Sequence, residues 1–169
     1  MSLSRDSVLE AVLNSYRNYF DIEKVTNQGS LVAKAQFHSR TEKFVLTKSV
    51  KMWGVETNDY VYVYSTPFLN IDEFVRCKEM SIESGLMQIH PHSEHMCSYI
   101  TAIILTDTLD QSIVSDIKSC KFSKNFLLTL HGWVILRLLV VDINTPAVIS
   151  NKAGKELTDF LDSCLNEGS

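Results

Sequence analysis

The chain has 169 residues, 45% hydrophobic and 21% charged, which is enough for one well-packed domain and too apolar for a disordered chain. Its 16 basic and 20 acidic residues give a net charge of −4, which argues against a nucleic-acid partner held by a general basic field. The longest apolar run, residues 133–141, is far shorter than the ~20 residues of a membrane-spanning helix, which excludes a membrane segment.

The first half of the chain predicts a helix followed by an antiparallel meander. Apolar residues recur at helical spacing over residues 4–20, and apolar positions alternate from residue 31 to residue 37. Two further strands, 43–57 and 60–65, are predicted to form a hairpin at Asn58 and Asp59, because both residues tolerate a turn backbone. The meander then carries an aromatic face made of Trp53, Tyr60, Tyr62 and Tyr64.

The second half predicts two more helices, a central strand, a second hairpin and a closing helix. Asn70 and Glu73 have the spacing of a helix N-cap, and Gly85 is the expected end of that helix. The apolar run 98–106 predicts the central strand, and 109–119 a short helix. Runs 126–130 and 133–141 predict the hairpin, and Asn151 is expected to cap a helix that ends near residue 165.

These elements predict an α+β fold in a single globular domain over residues 4–166. Its sheet is expected to be mixed but mostly antiparallel, with about six strands covered by about four helices. The opening order of helix, three strands, helix and strand is also that of the restriction-endonuclease-like core. The strands here lack the Glu-x-Lys pair that supports metal chemistry in such nucleases, so a nuclease-like site is absent or rearranged.

Three of the five histidines, His90, His92 and His95, lie close together. Imidazoles at this density either bind a divalent metal such as Zn²⁺ or form a hydrogen-bonded polar turn. Their spacing matches no zinc motif, so the turn is the favoured interpretation. The metal interpretation would make the protein a metal-dependent hydrolase or a degenerate nuclease-like enzyme, and the sequence indicates no other cofactor.

Three charged residues in apolar surroundings are candidate ligand-binding residues: Asp107, Asp142 and Arg137. The two acids each end an apolar strand, where they either serve a site or cap a turn, and turn residues are the commoner case. Arg137 lies within an apolar run, and a guanidinium buried there needs a partner. Glu56, Asp107 and Asp142 are the predicted partners. The alternative to such a structural pair is an anion-binding arginine in a cleft.

Three motifs carry a resemblance to known proteins: HSRTEKF at 38–44, WxxExNDYV at 53–61 and HGW at 131–133. With them the chain resembles a family of conserved single-domain bacterial proteins of unknown function, chiefly from Firmicutes. The resemblance spans most of the chain and implies a bacterial, cytoplasmic protein, but no activity and no site residue. The four scattered cysteines, which form no C-x-x-C pair, also favour free thiols in the cytoplasm.

Taken together, the sequence favours a non-enzymatic binding or interaction module. The expected partner is a second copy of the chain, which would pair through the aromatic hairpin or through a sheet edge. The metal-dependent enzyme is the alternative.

Overall fold

The computed structural model describes residues 3–44, 51–93, 95–128 and 130–169, with all their side chains except those of 39–44, 51–56, 95 and 96. In chain order the elements are α1 (Arg5–Tyr16), β1 (Asp21–Lys24), β2 (Leu31–Phe44), β3 (Lys51–Leu69), α2 (Ile71–Gln88), β4 (His95–Leu109), α3 (Val114–Ser119), β5 (Ser123–Asn125), β6 (Trp133–Asp142), β7 (Ala147–Ser150) and α4 (Thr158–Glu167). Short 3₁₀ turns, Gln111–Ile113 and Ala153–Leu157, directly precede α3 and α4.

The strands of the described residues form one mixed sheet in the order β1-β2-β3-β4-β6-β5, and β7 also pairs with β6. The β3–β4 and β4–β6 pairings are parallel, and the other four of the six pairings are antiparallel. This confirms the predicted α+β fold with a mostly antiparallel mixed sheet. The same part of the chain has no helix that is both long and apolar enough to cross a membrane.

The hairpin predicted at Asn58 and Asp59 is wrong, because β3 runs through both residues without a break. Asn58 and Asp59 are 3% and 9% exposed, and each pairs with β2 on one side and with β4 on the other. Ladder pairing on both sides satisfies their backbone groups, so tertiary context outweighs the local turn preference. The three-stranded meander does form, but from β1, β2 and β3.

The three tyrosines of the predicted aromatic face are buried. Tyr60, Tyr62 and Tyr64 are at most 5% exposed, and the hydroxyl of Tyr64 lies 2.7 Å from Ser81 Oγ of α2. Little of these three rings is exposed to a second chain, and the side chain of Trp53 lies outside the described residues. The rings instead form part of the core beneath α2.

Helices cover both faces of the sheet, which gives two separate cores. α2 and α3 pack on one face, and α1 and α4 pack on the other. Gly85 does not end α2, which continues to Gln88. A Cβ at this position would lie 2.5 Å from Cγ1 of Ile100, so glycine allows the helix to approach β4 closely. Asn70 caps α2 as predicted, since its side chain accepts a hydrogen bond from Glu73 N at 3.0 Å.

The second hairpin and the last helix differ from their predicted bounds. The strand that precedes β6 and pairs with it is β5 at 123–125, whereas residues 126–128 and 130–132 belong to the connection. In that connection Leu127 and Leu128 have φ angles of 47° and 50°, a left-handed backbone that side chains seldom adopt. Asn151 does not cap α4. Its side-chain oxygen accepts from the backbone N–H of Leu138 and of Gly154, which ties the 3₁₀ turn to β6.

Candidate functional site

A buried polar group lies on the face of the sheet that α1 and α4 cover. Asp59 of β3, Thr101 of β4 and Arg137 of β6 share this face, because on each strand the apolar residues of that core come two and four positions later. Thr101 and Arg137 are register partners, and Asp59 lies two residues before the partner of Thr101 on β3. Three parallel strands thus bring these side chains together.

The Arg137 guanidinium is held by two carboxylates and an aromatic ring. Nη1 donates to Asp59 Oδ2 at 3.4 Å, and Nη2 lies 2.5 Å from Oε1 of Glu156 in the turn before α4. Its Cζ is 3.3 Å from the centroid of the Tyr99 ring, a cation–π contact. The side chain is 11% exposed, and its buried Nε has no hydrogen-bond partner among the described residues.

These contacts confirm the prediction that Arg137 lies in an interior strand and is neutralised by a carboxylate. The predicted partners Asp107 and Asp142 are wrong, and the side chain of Glu56 lies outside the described residues. The prediction failed on the partner because Asp59 was assigned to a turn.

Asp59 is the more buried of the two carboxylates at this site. Burial raises the pKa of its carboxyl to about 6, while the hydrogen bond from Thr101 and the charge of Arg137 act in the opposite direction. Thr101 Oγ1 donates to Asp59 Oδ1 at 2.8 Å. A carboxyl in this state changes its charge close to neutral pH, although its ordinary pKa is near 4.

A cavity of about 540 Å³, called the Arg137 cavity below, opens above this polar group between the end of α1 and the start of α4. Asp59 and Arg137 lie in its lining. The rest of its wall is mostly aromatic, and the ring centroids of Tyr16–Phe20 and Phe20–Phe37 lie 4.5 and 5.3 Å apart. The aromatic lining residues are Tyr16, Tyr19, Phe20, Phe37, Tyr99 and Phe160.

Asp107 and Asp142 lie away from the Arg137 cavity. The strands that carry them are parallel, so both acids come at the same edge of the sheet. Asp107 pairs with Arg5 at 3.0 Å, and Asp142 Oδ1 accepts from the backbone N–H of Asn144 at 3.2 Å. Arg137 is five residues from Asp142 along β6, or about 16 Å at strand spacing. The structure therefore does not bring the three predicted ligand-binding residues into one site.

The three histidines do not lie in the Arg137 cavity either, as far as they are described. His90 is exposed just beyond α2, His92 is half-buried, and the side chain of His95 lies outside the described residues. Within the described part of the chain, no three His, Cys, Asp or Glu side chains lie close enough to hold a metal ion. The metal site stays a prediction, because one of its three ligands is not described.

Sequence reasoning missed Asp59, Glu156 and the aromatic wall as site residues. Asp59 had a usable signal, because a continuous β3 places it on the same face as Val61 and Val63. Glu156 had none, since an exposed acid in a polar turn looks like any solvated residue. Its contact with Arg137 follows only from the packing of the turn against β6.

Residues 4–163 match the family described as Domain of unknown function (DUF8052), and the chain belongs to this family. No curated protein and no solved structure matches the chain. The family description gives no activity, so function has to be argued from the Arg137 cavity.

Proposed function

We propose that this DUF8052 protein is a non-enzymatic binding module that holds a small organic molecule in the Arg137 cavity. The cavity itself carries the proposal, since it combines a volume of about 540 Å³ with an aromatic wall and a buried ion pair. Sites for small molecules are typically concave, mainly apolar and provided with a few fixed polar groups. The Arg137 cavity has each of these properties.

The ion pair supports a binding role more than a stabilising one. Removing two charges from water is costly, and well-packed apolar residues of similar size often stabilise a core better. Here the pair lies beside an open cavity instead of inside a closed core. Polar groups fixed in this way orient the ligand and make the binding site specific.

A neutral probe tests whether the cavity binds at all. We expect propylbenzene to bind saturably, and the Ser15→Trp variant to lose this binding, because Ser15 lines the cavity and an indole there would fill it. The matched control is Asn14→Trp, which places the same side chain on a neighbouring exposed position of α1 that does not line the cavity.

The measurement is ¹H–¹⁵N chemical-shift titration, which also reports whether each variant is folded. Shift changes that map to cavity residues in the Asn14→Trp variant but vanish in Ser15→Trp support the site. Equal binding by the two variants would place the probe elsewhere and refute the proposal.

We also propose a second copy of the chain as the protein partner, with contact at the sheet edge formed by β5. This edge strand is exposed, and it is followed by Leu127, Leu128 and Leu130, which are 62%, 90% and 71% exposed. Unpaired strand edges and contiguous exposed apolar side chains are typical of interaction surfaces.

Sedimentation velocity tests this dimer. The wild type is expected to sediment as a dimer at micromolar concentration, and the double variant Leu128→Ser, Leu130→Ser as a monomer. Met87→Ser is the control, because Met87 is 73% exposed but lies on α2. A wild type that remains monomeric as its concentration rises would contradict the proposal.

We further propose that the protein is bacterial and cytoplasmic. The three resemblance motifs support the origin, and Cys77, Cys97, Cys120 and Cys164, all free thiols, support a reducing compartment. Fractionation of the source cells tests this, and recovery of the protein outside the cytoplasm would refute it.

A further inference from the structure

The charges at the floor of the Arg137 cavity do not balance. Two carboxylates, Asp59 and Glu156, share the single guanidinium of Arg137. The contact to Glu156 is 2.5 Å, whereas the contact to Asp59 is 3.4 Å. Glu156 is therefore the closely paired carboxylate, and Asp59 keeps a long ion pair and one hydrogen bond from Thr101.

Asp59 is also the deeper of the two carboxylates. Its side chain is 13% exposed, against 58% for Glu156, so water screens Glu156 but hardly reaches Asp59. Burial raises the pKa of Asp59 to about 6 even though Thr101 and Arg137 oppose the shift. An N–H donor or a cation that enters the cavity would stabilise this carboxylate.

The aromatic wall favours the same kind of ligand. The faces of Tyr and Phe rings carry negative potential and attract cations. Arg137 over the Tyr99 ring already shows such a contact at this site. A carboxylate ligand would instead meet the negative charges of Asp59 and Glu156, which already lie beside Arg137.

The other ionisable groups around Asp59 come from each element that faces it. They are Tyr16 on α1, Cys97 and Tyr99 on β4, Arg137 on β6 and Glu156 before α4. Burial raises the pKa of Tyr16 and of Cys97. The pKa of Tyr99 is raised by its hydrogen bond with Cys97 and by burial. All three groups therefore stay neutral between pH 5 and pH 8.

Facing Asp59 from β2 is its register partner Phe37, which carries no charge. Lys152 and Lys155 line a neighbouring hollow with Tyr99 and Glu156 and do not line the Arg137 cavity. Asp59 is therefore the carboxylate best placed to meet a ligand inside the cavity.

We infer that the ligand of the Arg137 cavity is an organic cation, a protonated amine on a small aromatic or aliphatic body that donates its N–H groups to Asp59. The inference rests on the proposed function of the cavity and names the chemical class of its ligand. The apolar body would lie against the aromatic wall, with the ammonium group at the floor.

Three probes of one shape and different charge test this: 2-phenylethylamine, propylbenzene and 3-phenylpropionate, each titrated into the whole protein by calorimetry. Near pH 7.5 the amine is expected to bind the wild type at least about tenfold more tightly than the neutral probe, as a charge-assisted hydrogen bond provides. Asp59→Asn is expected to remove this preference. Asp107→Asn makes the same change at the far edge of the sheet and should keep it.

A second measurement needs no variant. Near pH 5 the amine is still protonated but Asp59 is mostly neutral, so the preference of the wild type for the amine should fall several-fold.

The outcomes separate the inference from the proposed function. Tightest binding of 3-phenylpropionate would overturn the inference and assign an anion to Arg137. Equal binding of the amine and propylbenzene near pH 7.5 would overturn the inference but leave a binding cavity. Failure of all three probes to bind would overturn both.

Discussion

Replacing Arg137 with methionine is expected to lower the free energy of unfolding by about 3–5 kcal/mol near pH 7.5, the usual cost of leaving one member of a buried ion pair alone. Asp59 would stay buried beside Thr101 without its guanidinium. Glu156 would contribute little to the loss, because its half-exposed side chain can turn to water. Methionine keeps an unbranched apolar stem against Tyr99, so the loss should report on charge more than on packing.

Urea unfolding followed by circular dichroism measures this effect, and two further variants define it. Asp59→Asn combined with Arg137→Met should be less destabilised than Arg137→Met alone, because no charge is then left buried. Lys155→Met removes an exposed cation from the same region and should change stability by less than about 0.5 kcal/mol. If Arg137→Met costs no more than this control, the guanidinium does not neutralise Asp59.

Loss of the proton from Asp59 is expected to lower the stability of the protein as the pH rises from about 4 to about 6. The folded-state pKa of about 6 lies above the ordinary value of 3.8, so the native state binds this proton more tightly than the unfolded chain does. The resulting stabilisation is fully present below the lower value and is lost as the pH passes the higher one. Its size is about 3 kcal/mol, from 1.36 kcal/mol per pKa unit.

A comparison with Asp59→Asn isolates this contribution from the other carboxyl groups. The difference in unfolding free energy, variant minus wild type, should rise between about pH 4 and pH 6 and become constant above pH 7. Asp110→Asn is the control of opposite sign, because hydrogen bonds from Ser112 lower the pKa of Asp110. A difference that does not change with pH for Asp59→Asn would show that its carboxyl is solvated.

The strand β6 illustrates what the sequence can predict. Apolar residues on both sides of Arg137 indicate a strand covered on two faces, and a charge in such a strand needs a partner. Both expectations hold. The identity of the partner could not follow from the same pattern, because it depends on which strands are neighbours and whether they are parallel.

Asn58 and Asp59 show why a local preference misleads. The pair is typical of a tight turn, and turn preferences of this kind are small compared with the pairing and burial of a central strand. Assigning the pair to a turn predicts that Asp59 is exposed, and an exposed Asp59 would not be expected to contact Arg137. One wrong turn thus removed the central carboxylate of the candidate site.

The Arg137 cavity itself has no signature along the chain. Its wall combines the end of α1, one residue of β2 and the start of α4, which are far apart in sequence and meet only through packing. The histidine segment is the opposite case. Its three histidines are close together in the sequence, but the sequence does not determine whether their side chains converge. Site prediction failed where the site was assembled from distant elements.

The sharing of one face by α1 and α4 has a consequence for synthesis on the ribosome. The opposite face is covered by α2 and α3, which follow β3 and β4 and can pack as soon as those strands emerge. Helix α1, however, packs with α4, which is translated much later, so part of its apolar side stays uncovered until α4 has been made. A nascent chain stalled before α4 would leave the α4 side of this core uncovered and so present apolar surface to chaperones.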